Sequence, residues 1–367
     1  MKAYLKDATS LVGIAKDVFQ PKSLEEIQKI VLENKFITTR GAGTGLAGGC
    51  VPLEGKDVVV DLSGMDKILN FDIARKTVEV EAGVVLGDLE EFLNQTPLIF
   101  PVSPSSRETC TIGGMIATNA GDQRSGVYGK TSSWIKWIDI INDNAEVSRK
   151  GITEITDYAG LEGITGIIVK ACLKLTEKRI RSASIIKIEY LDEAVSIARN
   201  LKRDLSVSII DFLDKRISKG IGLGDSYHLV VEYENDSGHI KGEEYTKLLN
   251  ILDEVYQFTQ KEGFTRIEDP KIMIDRFIPL MEWCIKKDLL VYGSLSSGII
   301  NIFFRKEQED QIPEMIKKVT HHGGSISGRF GIGFLKKEFL DPNDKKIIEN
   351  VKRRCDPLNK FNNGKIL

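Results

Sequence analysis

Apolar positions in the first half of the chain recur mainly with the two-residue period of β-strands. Residues 77–81 alternate strictly between polar and apolar side chains, which is typical of a half-buried strand. Further strands are predicted over residues 36–39, 58–62, 134–142 and 163–175, and helices from residue 23 onwards and over 84–93. Strands with glycine-rich connections and few helices predict an α+β domain up to about residue 180.

From about residue 182 the pattern changes to strands that alternate with longer helices. Strands are predicted over 185–190, 207–212, 227–233, 289–292 and 299–304, and helices over 191–201, 243–261 and 308–321. This order predicts a compact antiparallel α/β second domain. Because the sequence regains its glycine-rich character at Gly323, we expect the last segment to return to the first domain. The predicted division is therefore 1–180, 181–322 and 323–367.

Composition excludes several classes of protein. The 367 residues include 51 Lys and Arg against 53 Asp and Glu, a balance that argues against a nucleic-acid-binding surface. No apolar run approaches the roughly 18 residues that span a bilayer, and the charged N-terminus lacks a signal-peptide core. Five widely spaced cysteines argue against a disulfide framework or an iron–sulfur cluster. We therefore expect a cytoplasmic protein, peripheral to the membrane through a partner if it is membrane-associated at all.

The segment 40–49 is the first of three glycine-rich regions. Residues 43–48 match the pattern G-x-G-x-x-G, which in a dinucleotide-binding Rossmann fold must open a helix. Gly48, Gly49 and Pro52 leave little room for one before the strand at 58–62. A backbone nest that binds an anion such as pyrophosphate is the better interpretation, and a tight loop requiring positive φ is an equal alternative for this loop alone.

Two further segments combine small residues in the same way. Residues 111–121 form a second glycine-rich loop with small polar side chains, preceded by the stiff segment 101–106, and residues 161–168 form a third. Three places of close backbone approach in one domain would line a long groove. Such a groove suits a dinucleotide in an extended conformation.

The order of these motifs resembles the FAD-binding domain of the vanillyl-alcohol oxidase / p-cresol methylhydroxylase (PCMH) superfamily. Within it, the chain is most similar to glycolate oxidase flavin subunits and to D-lactate and D-2-hydroxyglutarate dehydrogenases. The resemblance covers nearly the whole chain and is weakest over 180–290. The matching segments are 40–45, 104–106, 111–114, 117–121, 128–129 and 162–168, with 323–328, 331–333 and 356–365 near the C-terminus.

The resemblance implies a noncovalently bound FAD in a two-subdomain FAD-binding domain, covered by a shortened α/β antiparallel cap domain, with the C-terminal segment returning to the FAD domain. Residues 41–45 would hold the pyrophosphate. Cys110 is interpreted as a small buried residue rather than as a flavin link. The implied cofactor-binding residues are Arg40, Gly41, Ala42, Gly43, Thr44, Gly45, Pro104, Ser106, Thr111, Gly114, Thr118, Asn119, Gly166, Ile168 and Asn362.

The sequence departs from the family pattern where the family's 2-hydroxy-acid dehydrogenases bind a metal. The resemblance implies two histidines and a glutamate as ligands, and a catalytic histidine beside the glutamate. This chain has Ser294, Asn301, Arg329 and Phe330 at these positions. Hydroxyl and amide groups are poor ligands for a borderline metal, and a guanidinium would repel a cation.

These observations leave three hypotheses. The first is an FAD-dependent oxidoreductase that oxidises a small 2-hydroxy acid or related alcohol by hydride transfer to flavin without a metal. In it, Arg329 would anchor the substrate carboxylate with Ser294 and Asn301 as neutral hydrogen-bonding neighbours; the alternative is that Arg329 faces solvent or pairs within the protein. The second is an accessory FAD subunit that relays electrons to an iron–sulfur or electron-transfer flavoprotein partner. The third is a protein that has lost its flavin.

Overall fold

The chain divides into two compact units. The computed structural model describes residues 2–9 and 11–367. The first unit contains the chain up to Asp122, Tyr128–Lys178 and Arg329–Leu367, and the second contains Gln123–Val127 and Arg179–Gly328. The chain therefore leaves the first unit for five residues and returns before it leaves again at Arg179. The sequence pattern did not predict this short insertion.

The elements are labelled in chain order. The strands are β1 (Asp17–Phe19), β2 (Ile37–Arg40), β3 (Val58–Asp61), β4 (Ile68–Asp72), β5 (Thr77–Glu81), β6 (Leu98–Ile99), β7 (Ile135–Ile141), β8 (Val147–Gly151), β9 (Ile167–Lys174), β10 (Thr176–Glu177), β11 (Ser182–Ile188), β12 (Val207–Leu213), β13 (Tyr227–Tyr233), β14 (Ile240–Lys241), β15 (Phe264–Glu268), β16 (Leu290–Ser294) and β17 (Ile299–Arg305). The α-helices are α1 (Leu24–Glu33), α2 (Leu86–Leu93), α3 (Ile112–Thr118), α4 (Ser125–Tyr128), α5 (Leu191–Leu201), α6 (Lys215–Gly220), α7 (Gly242–Lys261), α8 (Phe277–Lys286), α9 (Ile312–His321) and α10 (Pro342–Cys355).

The first unit contains two main sheets with separate apolar cores. One is a parallel three-stranded sheet in the order β1-β3-β2, and the other is an antiparallel five-stranded sheet in the order β4-β5-β9-β7-β8. Helix α1 contributes Ile27, Ile30 and Val31 to the first core, with the spacing of one helix face. Its first turn is closed by Ser23, whose hydroxyl accepts the Glu26 N–H.

The second unit is built on one antiparallel sheet of seven strands. Their order is β14-β11-β13-β12-β16-β17-β15. The predicted helix at 191–201 has the limits of α5, and the predicted strand pair near 290 and 300 is β16 with β17. Together with the antiparallel five-stranded sheet of the first unit, this mixture of helices and sheets confirms the predicted α+β class. Among the helices of the described residues, none is both long and apolar enough to cross a bilayer.

One predicted loop is a helix. The second glycine-rich segment contains α3, which Thr111 caps by accepting the Gly114 N–H at 3.3 Å. Two glycines in the first turn disfavour a helix in an isolated chain, and this is why the sequence suggested a loop. In the fold, glycine is required at position 113 because α3 packs closely on Ala82, the residue after β5: a Cβ at this position would come within 2.7 Å of the Cβ of Ala82. Tertiary packing therefore overrides local propensity.

The C-terminal segment is fastened to the first unit by Lys352 of α10. Its buried Nζ donates hydrogen bonds to the carbonyl oxygens of Ile164 and Phe361, both at 2.8 Å, and to the carboxylate of Asp356. Asp356 in turn accepts the N–H groups of Lys360 and Phe361 at 3.0 and 2.9 Å. All three N–H donors of the ammonium are therefore used inside the protein.

Replacing Lys352 by Met should lower the free energy of unfolding by about 3–5 kcal/mol, because the Asp356 carboxylate would stay buried without its cation. Thermal and urea unfolding of the purified variant measure this. Lys345→Met is the matched control, since Lys345 is exposed on the same helix and should change stability by less than about 0.5 kcal/mol. Equal stabilities of the two variants would contradict the role assigned to Lys352.

Candidate functional site

The first glycine-rich segment is the loop that leaves β2. No helix occurs between Arg40 and Val58, and β2 pairs in parallel directly with β3. This connection excludes the strand–helix geometry of a Rossmann site, as the sequence argument predicted. The segment instead forms an irregular loop whose two ends are fixed by hydrogen bonds.

Contacts at the edges of the loop fix its shape. The Arg40 guanidinium donates to the carbonyl oxygen of Lys6 and, at 3.3 Å, to that of Ala42. The carbonyl oxygen of Gly45 accepts the Ala8 N–H at 3.1 Å, and the Gly48 N–H donates to the Asp7 carboxylate at 2.9 Å. The loop is thereby held through its carbonyl groups and its far end.

The N–H groups of Ala42, Gly43, Thr44 and Gly45 donate no hydrogen bond to any residue that the structure describes. Four successive amide donors without an acceptor among the described residues form a site for an anion, because unpaired backbone donors seek an acceptor. A pyrophosphate is a suitable occupant. The donor set of the loop therefore fits the diphosphate of a dinucleotide.

Two glycines of the loop are required by sterics. Gly43 has φ +73°, and a Cβ there would come within 2.1 Å of the Arg40 guanidinium. A Cβ on Gly41 would come within 2.2 Å of Oγ1 of Thr111, the residue that caps α3. The loop thus packs against the start of α3, and both predicted segments meet there.

Side chains of the second segment are largely used within the protein. The Thr111 hydroxyl is buried as the helix cap, and the Thr118 hydroxyl donates to the carbonyl oxygen of Gly114 at 2.9 Å. Asn119 ends α3 with φ +48°, and its Oδ1 accepts the Ser132 N–H at 3.0 Å. The half-buried Asn119 amide nitrogen is the polar group of this segment that is left for a ligand.

The turn before α3 is closed by backbone bonds. The carbonyl oxygen of Pro104 accepts the Arg107 N–H at 3.0 Å, and that of Ser106 accepts the Cys110 N–H at 2.8 Å. Cys110 is 4% exposed in an apolar core, and burial raises the pKa of its thiol to about 11. Such a thiol is a small buried residue, as expected, and a poor nucleophile.

The third segment leads into the five-stranded sheet, in which β9 begins at Ile167. Gly166 has φ +145°, and a Cβ on it would come within 2.7 Å of the Ile140 side chain. Ile168 belongs to β9, pairs with Ile140 of β7 and is 5% exposed. At these residues the backbones of β7 and β9 lie close together. A contact of Gly166 and Ile168 with a cofactor stays a prediction.

A buried carboxylate next to the third segment holds the C-terminal segment. Oε1 of Glu162 accepts the N–H groups of Ile332 and Gly333 at 2.6 and 3.0 Å. Glycine is needed on both sides, because a Cβ on Gly49 or on Gly331 would come within 2.5 Å of this carboxylate. Burial raises the pKa of Glu162, while the two amides and the positive charge of Lys336 oppose that effect. Sequence analysis missed this role of Glu162.

Asn362 joins the same region to β2. Its Oδ1 accepts the Thr39 N–H at 2.8 Å, and its Nδ2 donates to the carbonyl oxygens of Glu162 and, at 3.4 Å, of Gly49. The amide is therefore committed to backbone groups of three segments. This arrangement indicates that Asn362 stabilises the backbone from which the loop starts, rather than offering a free amide to the flavin.

The substituted metal positions lie in different units. Ser294 and Asn301 are fully buried in β16 and β17 of the second unit. The Ser294 hydroxyl lies 2.8 Å from that of Ser296, and the Asn301 amide donates to the Tyr256 hydroxyl at 3.2 Å. Arg329 begins the C-terminal segment of the first unit and is 6% exposed. Among the described residues, no group of three or more His, Cys, Asp or Glu side chains is placed to hold a metal ion.

The second unit also contains buried polar pairs that sequence analysis missed. The Tyr292 hydroxyl donates to Asp211 Oδ2 at 2.9 Å and accepts from the Gln123 amide at 3.1 Å. The Arg124 guanidinium donates to both oxygens of Glu232 at 2.8 and 2.7 Å. Burial alone would raise the pKa of Glu232, but the charge of Arg124 lowers it overall. The sequence signal that could have indicated these buried pairs is a single acidic residue within an otherwise apolar strand, as in 207–213 and 227–233.

Comparison with known proteins identifies two regions of the chain. Residues 15–151 match the family model described as FAD binding domain, and residues 300–366 match the model described as FAD linked oxidases, C-terminal domain. The chain is 25% identical to a D-lactate dehydrogenase of Anaerostipes hadrus (99% of this chain, 92% of the relative). It is 25% identical to glycolate oxidase subunit GlcD of Bacillus subtilis (99% and 91%) and 24% identical to a D-2-hydroxyglutarate dehydrogenase of Stutzerimonas stutzeri (100% and 94%).

Replacing Gly43 by Ala should weaken FAD binding by at least roughly tenfold, because the new Cβ meets the Arg40 guanidinium and an L-residue resists φ > 0. Titration of the flavin-depleted protein with FAD measures the change. Gly45→Ala is the matched control: Gly45 lies in the same loop, has no positive φ, and its nearest neighbour would lie 4.0 Å from the new Cβ. FAD affinity near that of wild type in Gly43→Ala would refute the nest.

Proposed function

Because this chain belongs to the FAD-linked oxidases with a PCMH-type FAD-binding domain, and is thus an FAD-dependent oxidoreductase acting on CH–OH groups, we propose that it oxidises a small 2-hydroxy acid without a metal ion. The observation that carries the cofactor assignment is the loop in which four successive amides donate to no residue that the structure describes. Relatives named for lactate, glycolate and 2-hydroxyglutarate support the substrate class.

Different residues of the first unit bind or position different parts of FAD. The amides of residues 42–45 bind the pyrophosphate, and Arg40 with Asn362 fixes the loop that presents them. The Asn119 amide nitrogen, at the end of α3, supplies a hydrogen bond toward the flavin. When bound, FAD supplies the acceptor for the hydride that leaves the substrate carbon.

Arg329 is proposed to hold the substrate carboxylate. A guanidinium carries five N–H donors in a planar fork, so it can bind a carboxylate bidentately in addition to its contacts within the protein. At 6% exposure such a bond is shielded from water and is correspondingly strong. The donor set supports a mechanism without metal, since serine, asparagine, arginine and phenylalanine occupy the positions at which the family resemblance implies metal ligands and a catalytic histidine.

The substrate class is tested by anaerobic mixing of the FAD-loaded protein with glycolate, D-lactate and D-2-hydroxyglutarate. We expect at least one of them to bleach the flavin absorbance, with a rate that EDTA does not change. Bleaching that is lost in EDTA and restored by zinc or manganese would show that the metal-free mechanism is wrong. No bleaching by any member, together with reduction through a purified iron–sulfur partner, would instead support the accessory-subunit alternative.

Arg329→Met should weaken the binding of a carboxylate ligand such as oxalate by roughly tenfold or more, because a charge-assisted hydrogen bond contributes about 1.5–3 kcal/mol. The shift of the flavin absorbance on titration with oxalate measures the affinity, and FAD content should stay at the wild-type level. The exposed Arg203→Met is the control for loss of one positive charge. Unchanged oxalate affinity in Arg329→Met would show that Arg329 does not bind the substrate carboxylate.

A further inference from the structure

The second unit carries a basic surface that takes no part in the proposed reaction. The basic surface consists of Lys202, Lys271, Met273, Arg276, Lys318, His321 and His322. Its centre is the segment 271–276, which lies between β15 and α8. Lys271 pairs with Ser325 through N–H···O bonds of 2.9 Å in both directions, and Asp275 forms an ion pair with Arg199 of α5. These contacts fix the segment between the end of α5 and the residues that follow α9.

Four cations of the basic surface have no acid beside them. Lys202 at the end of α5 is exposed, as are Lys271 and Arg276 of the segment, while Lys318 of α9 is half-buried. None of these four side chains forms an ion pair or a hydrogen bond with another residue in 2–9 and 11–367. The acid within the segment is already paired with α5. The positive charge of the surface is therefore left for a partner outside the described chain.

These positive charges lie close enough to act on one another. Burial lowers the pKa of His322, and nearby positive charges lower it further. Those charges belong to Arg276, His321 and Lys318. Burial also lowers the pKa of Lys202, and the charge of Lys271 adds to that effect. Like charges held together in this way repel one another, and a negatively charged partner would relieve the repulsion.

Met273 adds an apolar contact to these charges. It is 57% exposed, and its carbonyl oxygen accepts the Arg276 N–H at 2.9 Å in the turn that precedes α8. Methionine and arginine are enriched at protein interfaces, where the flexible thioether adapts to the shape of a partner. Surfaces that bind lipid use Trp or Phe on their apolar side, and the basic surface contains neither. Its composition therefore favours a protein partner over a membrane.

We propose that the basic surface docks an acidic segment of a partner protein, with Lys271 and Arg276 binding carboxylates and Met273 packing against an apolar side chain. A guanidinium can bind a carboxylate through two parallel N–H···O bonds, and such charge-assisted bonds are the strong ones in proteins. Every residue of the surface belongs to the second unit, whereas the glycine loop and Arg329 belong to the first. The proposal concerns binding alone and depends neither on FAD nor on the substrate.

The test is fluorescence anisotropy of a labelled peptide, in which glutamate and leucine alternate, titrated with the FAD-loaded protein. We expect saturable binding that weakens as salt is added, because salt screens the attraction between exposed charges. Arg276→Gln and Lys271→Gln should each weaken binding by roughly threefold or more, and Met273→Ser by about twofold or more. Lys247→Gln is the matched control, since it removes an exposed cation from α7, outside the surface, and should leave the affinity as in wild type.

Hydrogen exchange locates the contact: the peptide should protect the amides of residues 271–276, and protection confined to other segments would overturn the proposal. Three further results would do the same. The first is that the acidic peptide does not bind saturably, and the second is that Lys247→Gln weakens binding as much as Arg276→Gln. The third is that phosphatidylserine vesicles bind the protein while the peptide does not, because the surface would then belong to a membrane contact. None of these results depends on catalytic activity.

Discussion

The geometry of the first unit depends on one buried carboxylate. Glu162 lies in a turn where it and Gly163 both have positive φ, +50° and +75°, and from there its side chain receives two amides of the C-terminal segment. The carbonyl oxygen of the same residue receives the amide of Asn362, which also holds Thr39 at the end of β2. Burying a carboxylate costs several kcal/mol unless hydrogen bonds and charge offset it, so this turn stabilises the unit only when all its partners are in place.

That constraint explains how the loop over residues 41–45 can leave four of its amides without an acceptor in the described part of the chain. Backbone donors in a loop normally find acceptors within the protein, and a loop that does not is unstable unless other contacts hold it. Here the holding contacts are made by carbonyl groups and by Arg40, while Asn362 fixes the strand end from which the loop starts. The contacts of Arg40 and Asn362 thus hold the loop while four of its N–H groups donate to no residue that the structure describes.

Sequence pattern was sufficient for most of the elements, because alternation and helical spacing are local signals, while the role of residues 41–45 in binding a cofactor stays a prediction. It failed where contacts between residues far apart in the chain determine the local structure. Helix α3 contains Gly113 where it packs closely on Ala82, and Thr111 serves as its cap rather than as an open hydroxyl. Likewise Asn362 and Glu162 satisfy backbone groups far along the chain, and no spacing rule relates such partners.

The insertion Gln123–Val127 has a consequence for protein engineering. The Arg124–Glu232 pair is fixed by two hydrogen bonds at 12% and 2% side-chain exposure, so this pentapeptide is an integral part of the second unit's buried polar structure. A chimera that exchanges only 179–328 for the corresponding region of a relative would leave Arg124 facing a foreign sheet. Exchanging the second unit between related chains therefore requires two grafts, one of five residues and one of about 150.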